Sequence, residues 1–498
     1  MWAPNSSQVA QALLSCCLTA FAVLVCGCAV GPDFERPAAQ SGTHYSHGAD
    51  PDVTVTAHGA AQHFVPGAKI VSDWWRLFSS RQVDSVVAQA ISGNPGLEAA
   101  RASLRQADDS LRSGYGIFYP QVDAGAAATR QRYSPVKLGS ESPGGIFNLF
   151  TLSASVNYAV DVFGGERRTI EALGADVDLQ RATEQATYLT LLSNVVNTVI
   201  ASAAYRDEIN ATLELIELQR QQVKLAQVQV EAGTAAYSTV LSLRSQLASF
   251  EATVPQLEQR LSQSDDLLAT LAGRLPADWS PAPVTLADLT LPADLPVSLP
   301  SEVVRQRPDI LMAEASAHEA CANVGVATAA LFPSITLSGN YSANGTAVSG
   351  ITAAGGRAWD FGGQFVAPVF SGGTLWYRRK AAVDAYERNM ALYRQTVLSA
   401  FAQVADTLKA LEHDAAALRA QDEALSAAKE ALHLVHTNYE AGLSMYLDVL
   451  TADSQYHQAK ITDLQLTALR YQDTVALYVA LGGGWWNGAE PASRADGP

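Results

Sequence analysis

The residue with the clearest chemical prospect is Cys28. It follows Gly27 at the end of an apolar stretch, residues 8–27, and Val25-Cys26-Gly27-Cys28 resembles a bacterial lipobox, in which a small residue precedes the thiol that is acylated at the start of the exported chain. Cys26 fits less well because the larger Val25 precedes it. The first Lys or Arg is Arg36, so the usual basic start of an export signal is missing, and cleavage without lipidation is the alternative. Two or more acyl chains on Cys28 give stable attachment to a bilayer. Cys16, Cys17 and Cys26 leave with the signal, which leaves Cys321 alone in an Ala-rich segment. A small packed residue is its expected role rather than a nucleophile.

Two other groups carry chemistry. His433 and His436 lie three apart on a predicted helix, with His413 and His457 nearby in sequence. That spacing suits a metal ion, and equally a solvated helix face. Asp448 and Asp453 follow an Ala441-Gly442 helix stop, where an aspartate either caps a turn or presents charge to a pore. No phosphate-cradling GxxxxGK(S/T), HExxH or paired CxxC occurs, and no constellation supports catalysis or a cofactor. The formal charge of -16, with 49 acidic against 33 basic residues, argues against nucleic acid as a partner. The same excess favours cations if it lines a pore.

The elements that position these residues occur twice. Asn94-Pro95 and Tyr119-Pro120 recur 213 positions on as Arg307-Pro308 and Phe332-Pro333. Phe163-Gly164-Gly165 and Glu231-Ala232-Gly233 recur 208 and 209 positions on, at Ser371-Gly372-Gly373 and Glu440-Ala441-Gly442. Leu189, Leu192, Val196, Val199 and Ala203 step by three and four, as do Val397, Ala400, Val404, Thr407 and Leu411. This is the spacing of coiled-coil packing. Each half predicts one helix (80–117, or 301–330), a strand pair, and then an unusually long helix. From Gly165 to Gly233 there is no proline and one interior glycine, and from Thr374 to Ala441 neither occurs. Nearly 70 helical residues span roughly 100 Å. A second helix then returns to Gly273 or Leu481. Residues 29–70, holding four of the nine histidines, read as irregular, and the proline-rich 274–300 as an extended connector.

Membrane enters through the strands. Phe150, Leu152, Ala154, Val156, Tyr158, Val160 and Val162 alternate with Thr151, Ser153, Ser155, Asn157 and Asp161. Ile335, Leu337, Gly339 and Tyr341 alternate with Ser334, Thr336, Ser338 and Asn340, and 122–128 and 359–369 give weaker partners. Locally, a barrel strand and a soluble sheet with one wet face look alike. No run of about 20 apolar residues follows residue 28, so no helical span is expected. Four strands cannot close a membrane barrel, and open edges are not tolerated in lipid, so a barrel requires several copies.

The motifs Cys28-Ala29-Val30-Gly31-Pro32-Asp33-Phe34-Glu35-Arg36-Pro37, Asp73-Trp74-Trp75, Asn94-Pro95, Arg307-Pro308-Asp309-Ile310, Phe332-Pro333 and Ala480-Leu481-Gly482-Gly483-Gly484-Trp485 resemble the landmarks of TolC-like outer-membrane efflux factors, in the lipoprotein branch of OprM-type and NodT-type channels. The resemblance runs from Cys28 to about Trp485. It implies an α/β membrane protein: a homotrimeric β-barrel with four strands per protomer, continued by a long α-helical barrel and built from two internal structural repeats. The expected layout is a signal peptide (1–27), a lipid-anchored periplasmic segment (28–78), repeat 1 (79–273), the connector (274–300), repeat 2 (301–484) and a tail (485–498).

The function implied is a passive exit duct for drugs or other small molecules in the outer membrane of a Gram-negative bacterium. Its implied partners are outer-membrane lipid, a periplasmic adaptor and an inner-membrane pump of the resistance-nodulation-division class. A type I protein-secretion duct uses the same architecture, and a structural coiled-coil lipoprotein explains the helices but not the strands. Phe150, Leu152, Val156, Tyr158, Ile335 and Leu337 are the expected lipid-facing residues. In OprM-like relatives the turn before the last helix carries an apolar constriction and an acidic ring. Carry-over gives Leu447 as the apolar gate residue, while the relatives' acid and basic partner fall on Thr451 and Ser454. Asp448 and Asp453 are the candidate replacements for that acid.

Overall fold

The computed structural model describes residues 29–38, 44–45, 50–59, 61–132, 134 and 144–487. Cys28, the expected signal 1–27 and residues 488–498 of the tail lie outside the described residues. A short strand β1 (His63–Pro66) precedes the first half, which runs α1 (Arg81–Gly93), α2 (Pro95–Gly114), β2 (Gln121–Arg132), β3 (Ile146–Val160), α3 (Gly165–Glu231) and α4 (Tyr237–Leu271). The connector holds β4 (Asp294–Val297). The second half follows as α5 (Pro300–Gln306), α6 (Pro308–Ala329), β5 (Ser334–Gly345), β6 (Arg357–Val366), α7 (Thr374–Glu440) and α8 (Tyr446–Ala480). The long helices match between halves, 67 residues and then 35 in each.

Two differences from the sequence reading have physical causes. Each half opens on two helices rather than one. Proline disfavours the helical conformation in the residue before it, and Asn94 and Arg307 are extended, with ψ of 119° and 126°. Both break residues then reach the end of a returning helix. Asn94 Nδ2 donates to the Leu271 carbonyl at 2.9 Å, and Arg307 Nη1 to the Ala480 carbonyl at 2.7 Å, so equivalent positions satisfy equivalent orphan carbonyls. The lead segment and connector are not wholly irregular either. Their strands β1 and β4 pair in parallel, from His63 opposite Asp294 to Pro66 opposite Val297.

The chain forms two compact units, each drawing on both halves. Among the described residues, one comprises 29–36, Leu104–Leu179 and Ala313–Tyr393, and the other those within Pro37–Ser103, Gln180–Met312 and 394–487. The first contains an antiparallel sheet of order β2-β3-β5-β6. Beside it, residues 29–36 lie along α3 and α6: Val30 N–H donates to the Phe163 carbonyl, Asp33 pairs with Arg168 at 2.6 Å, Phe34 stacks on His318, and Arg36 pairs with Glu314. Gly164, at φ +78°, makes this path possible, because a Cβ there would lie 2.5 Å from Ala29 Cα. Cys321 is buried as a free thiol facing the Pro32 carbonyl.

The second unit buries the helical stripes. Leu192, Val196, Val199 and Ala203 pack with Val404, Leu411, Trp74, Phe78 and Tyr478 in one core. Thr407 departs from the expected stripe: it is only partly buried, and Leu408 takes the core position. Among the described residues only α3 is long and apolar enough, by length and composition, to cross a bilayer, and 56 % of its apolar window is buried inside the protein. Core packing accounts for that apolarity.

Candidate channel wall and helix tip

Strand register decides which side chains share a face. Directly opposed residues of an antiparallel pair lie on the same side of the sheet. Leu152 stands between Ala126 and Ala343, Val156 between Val122 and Gly339, and Tyr158 faces Leu337. Ile335 then faces Phe365, Gly339 faces Phe361, and Tyr341 faces Trp359. One face therefore carries Phe150, Leu152, Val156, Tyr158, Ile335 and Leu337 together with Trp359, Phe361 and Phe365. The other carries Gln121, Asp123, Ser153, Ser155, Thr336, Ser338, Asn340, Asp360 and Gln364. Trp359 and Phe361 are each 77 % exposed. An apolar face of this size left uncovered marks a surface that meets something other than water. The outer strands β2 and β6 have no further strand beside them among the described residues.

The long helices end alike in both halves. Gly233 and Gly442 adopt φ of 75° and 73°. The Thr234 amide reaches the Gln229 carbonyl as the Leu443 amide reaches that of Asn438. Glycine is required because the helix stop needs a left-handed residue there. The turns are held by Val223, Ala226, Val240 and Leu243, with Tyr446 and Leu450 packed on them. Tyr446 donates from its hydroxyl to Gln222 Oε1 at 2.7 Å, its ring 5.4 Å from that of Tyr439.

On this frame the candidate gate residues separate. Leu447 is 68 % exposed, beside exposed Leu443 and Met445. Asp448 is exposed and accepts from the Met445 amide at 2.9 Å, capping α8. Asp453 is not the open acid expected from sequence. It is 2 % exposed and accepts from Gln219 Nε2, so its charge is enclosed between helices, and burial pushes its carboxyl above the usual range. The four histidines are also not gathered. His433 and His413 are exposed, His436 pairs with Glu440, and His457 packs edge-on against Phe250.

The chain matches the family described as "Outer membrane efflux protein" over residues 86–274 and 299–483. It belongs to that family. The match is double, one segment for each structural repeat. The pyoverdine export outer membrane protein OpmQ of Pseudomonas aeruginosa is 30 % identical over 86 % of this chain and 91 % of its own length. The toluene efflux pump outer membrane protein TtgC of Pseudomonas putida is 28 % identical over 97 % and 98 %. Among solved structures, the outer-membrane channel OprN superposes with a TM-score of 0.82 at 27 % identity, over 92 % of this chain and all of its own. The efflux family is one of channels in the Gram-negative outer membrane, and the two-faced sheet and paired helices are its fold.

Sequence reasoning missed Gln219, Gln222 and Tyr439 at the tip, where no local pattern marks a polar residue that will meet another helix. It also missed His58, Asp422 and Asp463, which come together from three distant segments. Four histidines in residues 29–70 were the only sign.

Proposed function

We propose that three copies of this chain form a passive exit duct across the outer membrane, closed into one β-barrel by pairing β2 of each copy with β6 of the next. The observation that carries this reading is the four-stranded sheet with one apolar and one polar face and two open edges. Open edges are costly in lipid, and cyclic pairing removes them. Twelve strands leave a polar lumen, lined by the face of Ser153, Ser155, Ser338 and Asn340, with the face of Leu152, Trp359 and Phe361 toward lipid. Residues 28–78 anchor each copy through an acylated Cys28. The packing of Ala29 against Gly164, at the end of β3, supports an anchor leaving the chain beside the sheet.

The duct receives small molecules through a periplasmic adaptor and an inner-membrane pump of the resistance-nodulation-division class. Exported organic molecules named for the relatives, pyoverdine and toluene, support that substrate class. The periplasmic mouth is gated at residues 442–453, where Leu443, Met445 and Leu447 of three copies converge.

Two experiments test this. Cysteines placed at Ala127 of β2 and Ala358 of β6 should cross-link chains into trimers, and monomers under every oxidant would remove the barrel. Leu152→Arg should cost about 2–4 kcal/mol of stability in bilayers, as for a basic residue near mid-membrane on the lipid face, whereas Ser153→Arg should be tolerated. Equal tolerance would reverse the faces.

A further inference from the structure

Residues 54–59 and Gln62, within the second unit, are tied to α8 by Arg470. Its guanidinium donates to the Ala57 carbonyl, Thr54 Oγ1 and Gln62 Oε1 at 3.1–3.4 Å. At the bend of this segment His58 turns its Nε2 toward two carboxylates on different helices, Asp463 Oδ1 of α8 at 3.0 Å and Asp422 Oδ1 of α7 at 3.4 Å. All three donor atoms lie within 4.8 Å of one another. We propose that His58, Asp422 and Asp463 bind a divalent cation of the zinc class, which braces the lead segment against both long helices of the second repeat.

Geometry rather than net charge favours a cation here, because the Arg470 guanidinium also lies close enough to offset part of the carboxylate charge. A divalent cation with a neutral imidazole would bind both carboxylates directly, where a protonated His58 meets them with a single N–H. The two distances from Nε2, 3.0 and 3.4 Å, suit it: tetrahedral ligands about 2.0–2.1 Å from zinc stand roughly 3.3 Å apart. One imidazole nitrogen with two carboxylate oxygens selects zinc or a similar transition ion over the all-oxygen shells of magnesium and calcium. The ring is also oriented from behind, because Nδ1 faces Thr467 Oγ1 at 3.5 Å, leaving Nε2 to bind. Asp463 is largely enclosed, while His58 and Asp422 keep an open side where water completes the coordination. None of these residues belongs to the tip or the strand faces. The brace adds a cation-dependent link to the fold and stands apart from the conduction reading.

The test uses the full chain in detergent, stripped with a chelator and titrated with zinc by calorimetry at pH 7.5. One saturable site per chain is expected, undisturbed by excess magnesium. His58→Ala should abolish it, and Asp422→Asn, at a partly exposed position, should weaken it at least tenfold with the helical circular dichroism unchanged. His433→Ala combined with His436→Ala should leave it intact. Zinc should also slow amide exchange in residues 54–62 of the wild type and not of Asp422→Asn. Absence of saturable binding, or binding equal in wild type, His58→Ala and Asp422→Asn, overturns the assignment.

Discussion

The two helix tips share a backbone and differ in chemistry. Residues 234–239 read Thr-Ala-Ala-Tyr-Ser-Thr, and the equivalent 443–448 read Leu-Ser-Met-Tyr-Leu-Asp. Both follow a left-handed glycine and start a 35-residue helix. The second tip alone exposes three large apolar side chains, Leu443, Met445 and Leu447, and carries the capping Asp448. Five residues further on, Asp453 is buried against Gln219, where the first half has an exposed Arg244. A duplicated scaffold thus supplies one polar tip and one with exposed apolar side chains. The proposed closure falls at the second.

The largest expected effect breaks this contrast directly. Leu447→Ala should raise resting conductance in planar bilayers several-fold, and Ser238→Ala at the matching position should not. Equal responses would make the tips equivalent.

Next come the helix-break residues that hold each returning helix. Arg307 is buried, donates to the Ala480 carbonyl and Gln403, and pairs with Asp309. Arg307→Ala should therefore destabilise by about 2–3 kcal/mol, and Asn94→Ala, which loses uncharged bonds to the Leu271 carbonyl and from the Leu97 amide, by about 1–2 kcal/mol. Urea unfolding of the two variants measures the difference.

A smaller effect is expected from pH at Asp453. Its carboxyl is raised in the folded chain, chiefly by burial. The folded state then holds its proton more tightly than the unfolded chain, so this stabilisation is complete below the ordinary carboxylate pKa of about 4 and is lost as pH rises through the raised folded value. Asp453→Asn should flatten that dependence of tip stability, read by amide exchange at residues 446–453, while Arg244→Gln leaves it unchanged. The smallest effect is Asp448→Ala, which removes the exposed acceptor of the Met445 amide and should cost about 0.5 kcal/mol. Thr239→Ala should cost less, because α4 has no side-chain cap bond at its start.

Much of the scaffold was legible because it is periodic. Alternation placed Leu152 and Leu337 on one strand face, spacing of three and four placed Val196 and Val404 in the core, and the lack of proline set the length of α3 and α7. Features depending on distant partners were not legible. Asp453 looks like any aspartate near a helix start until Gln219, 234 residues earlier, encloses it. Asn94-Pro95 and Arg307-Pro308 were visible as landmarks, yet their role as breaks that cap a returning helix depends on Leu271 and Ala480. The β1–β4 pair is only four residues long and carries prolines in both strands, too little for a period of two to register.

The assignment of closure to the second tip is tested most directly by giving it the chemistry of the first. Single-channel conductance should be recorded for the trimer carrying Leu443→Thr, Ser444→Ala, Met445→Ala, Leu447→Ser and Asp448→Thr together. A tip that closes the duct through its apolar side chains predicts a resting conductance well above wild type with trimers intact. Conductance indistinguishable from wild type in intact trimers would contradict it.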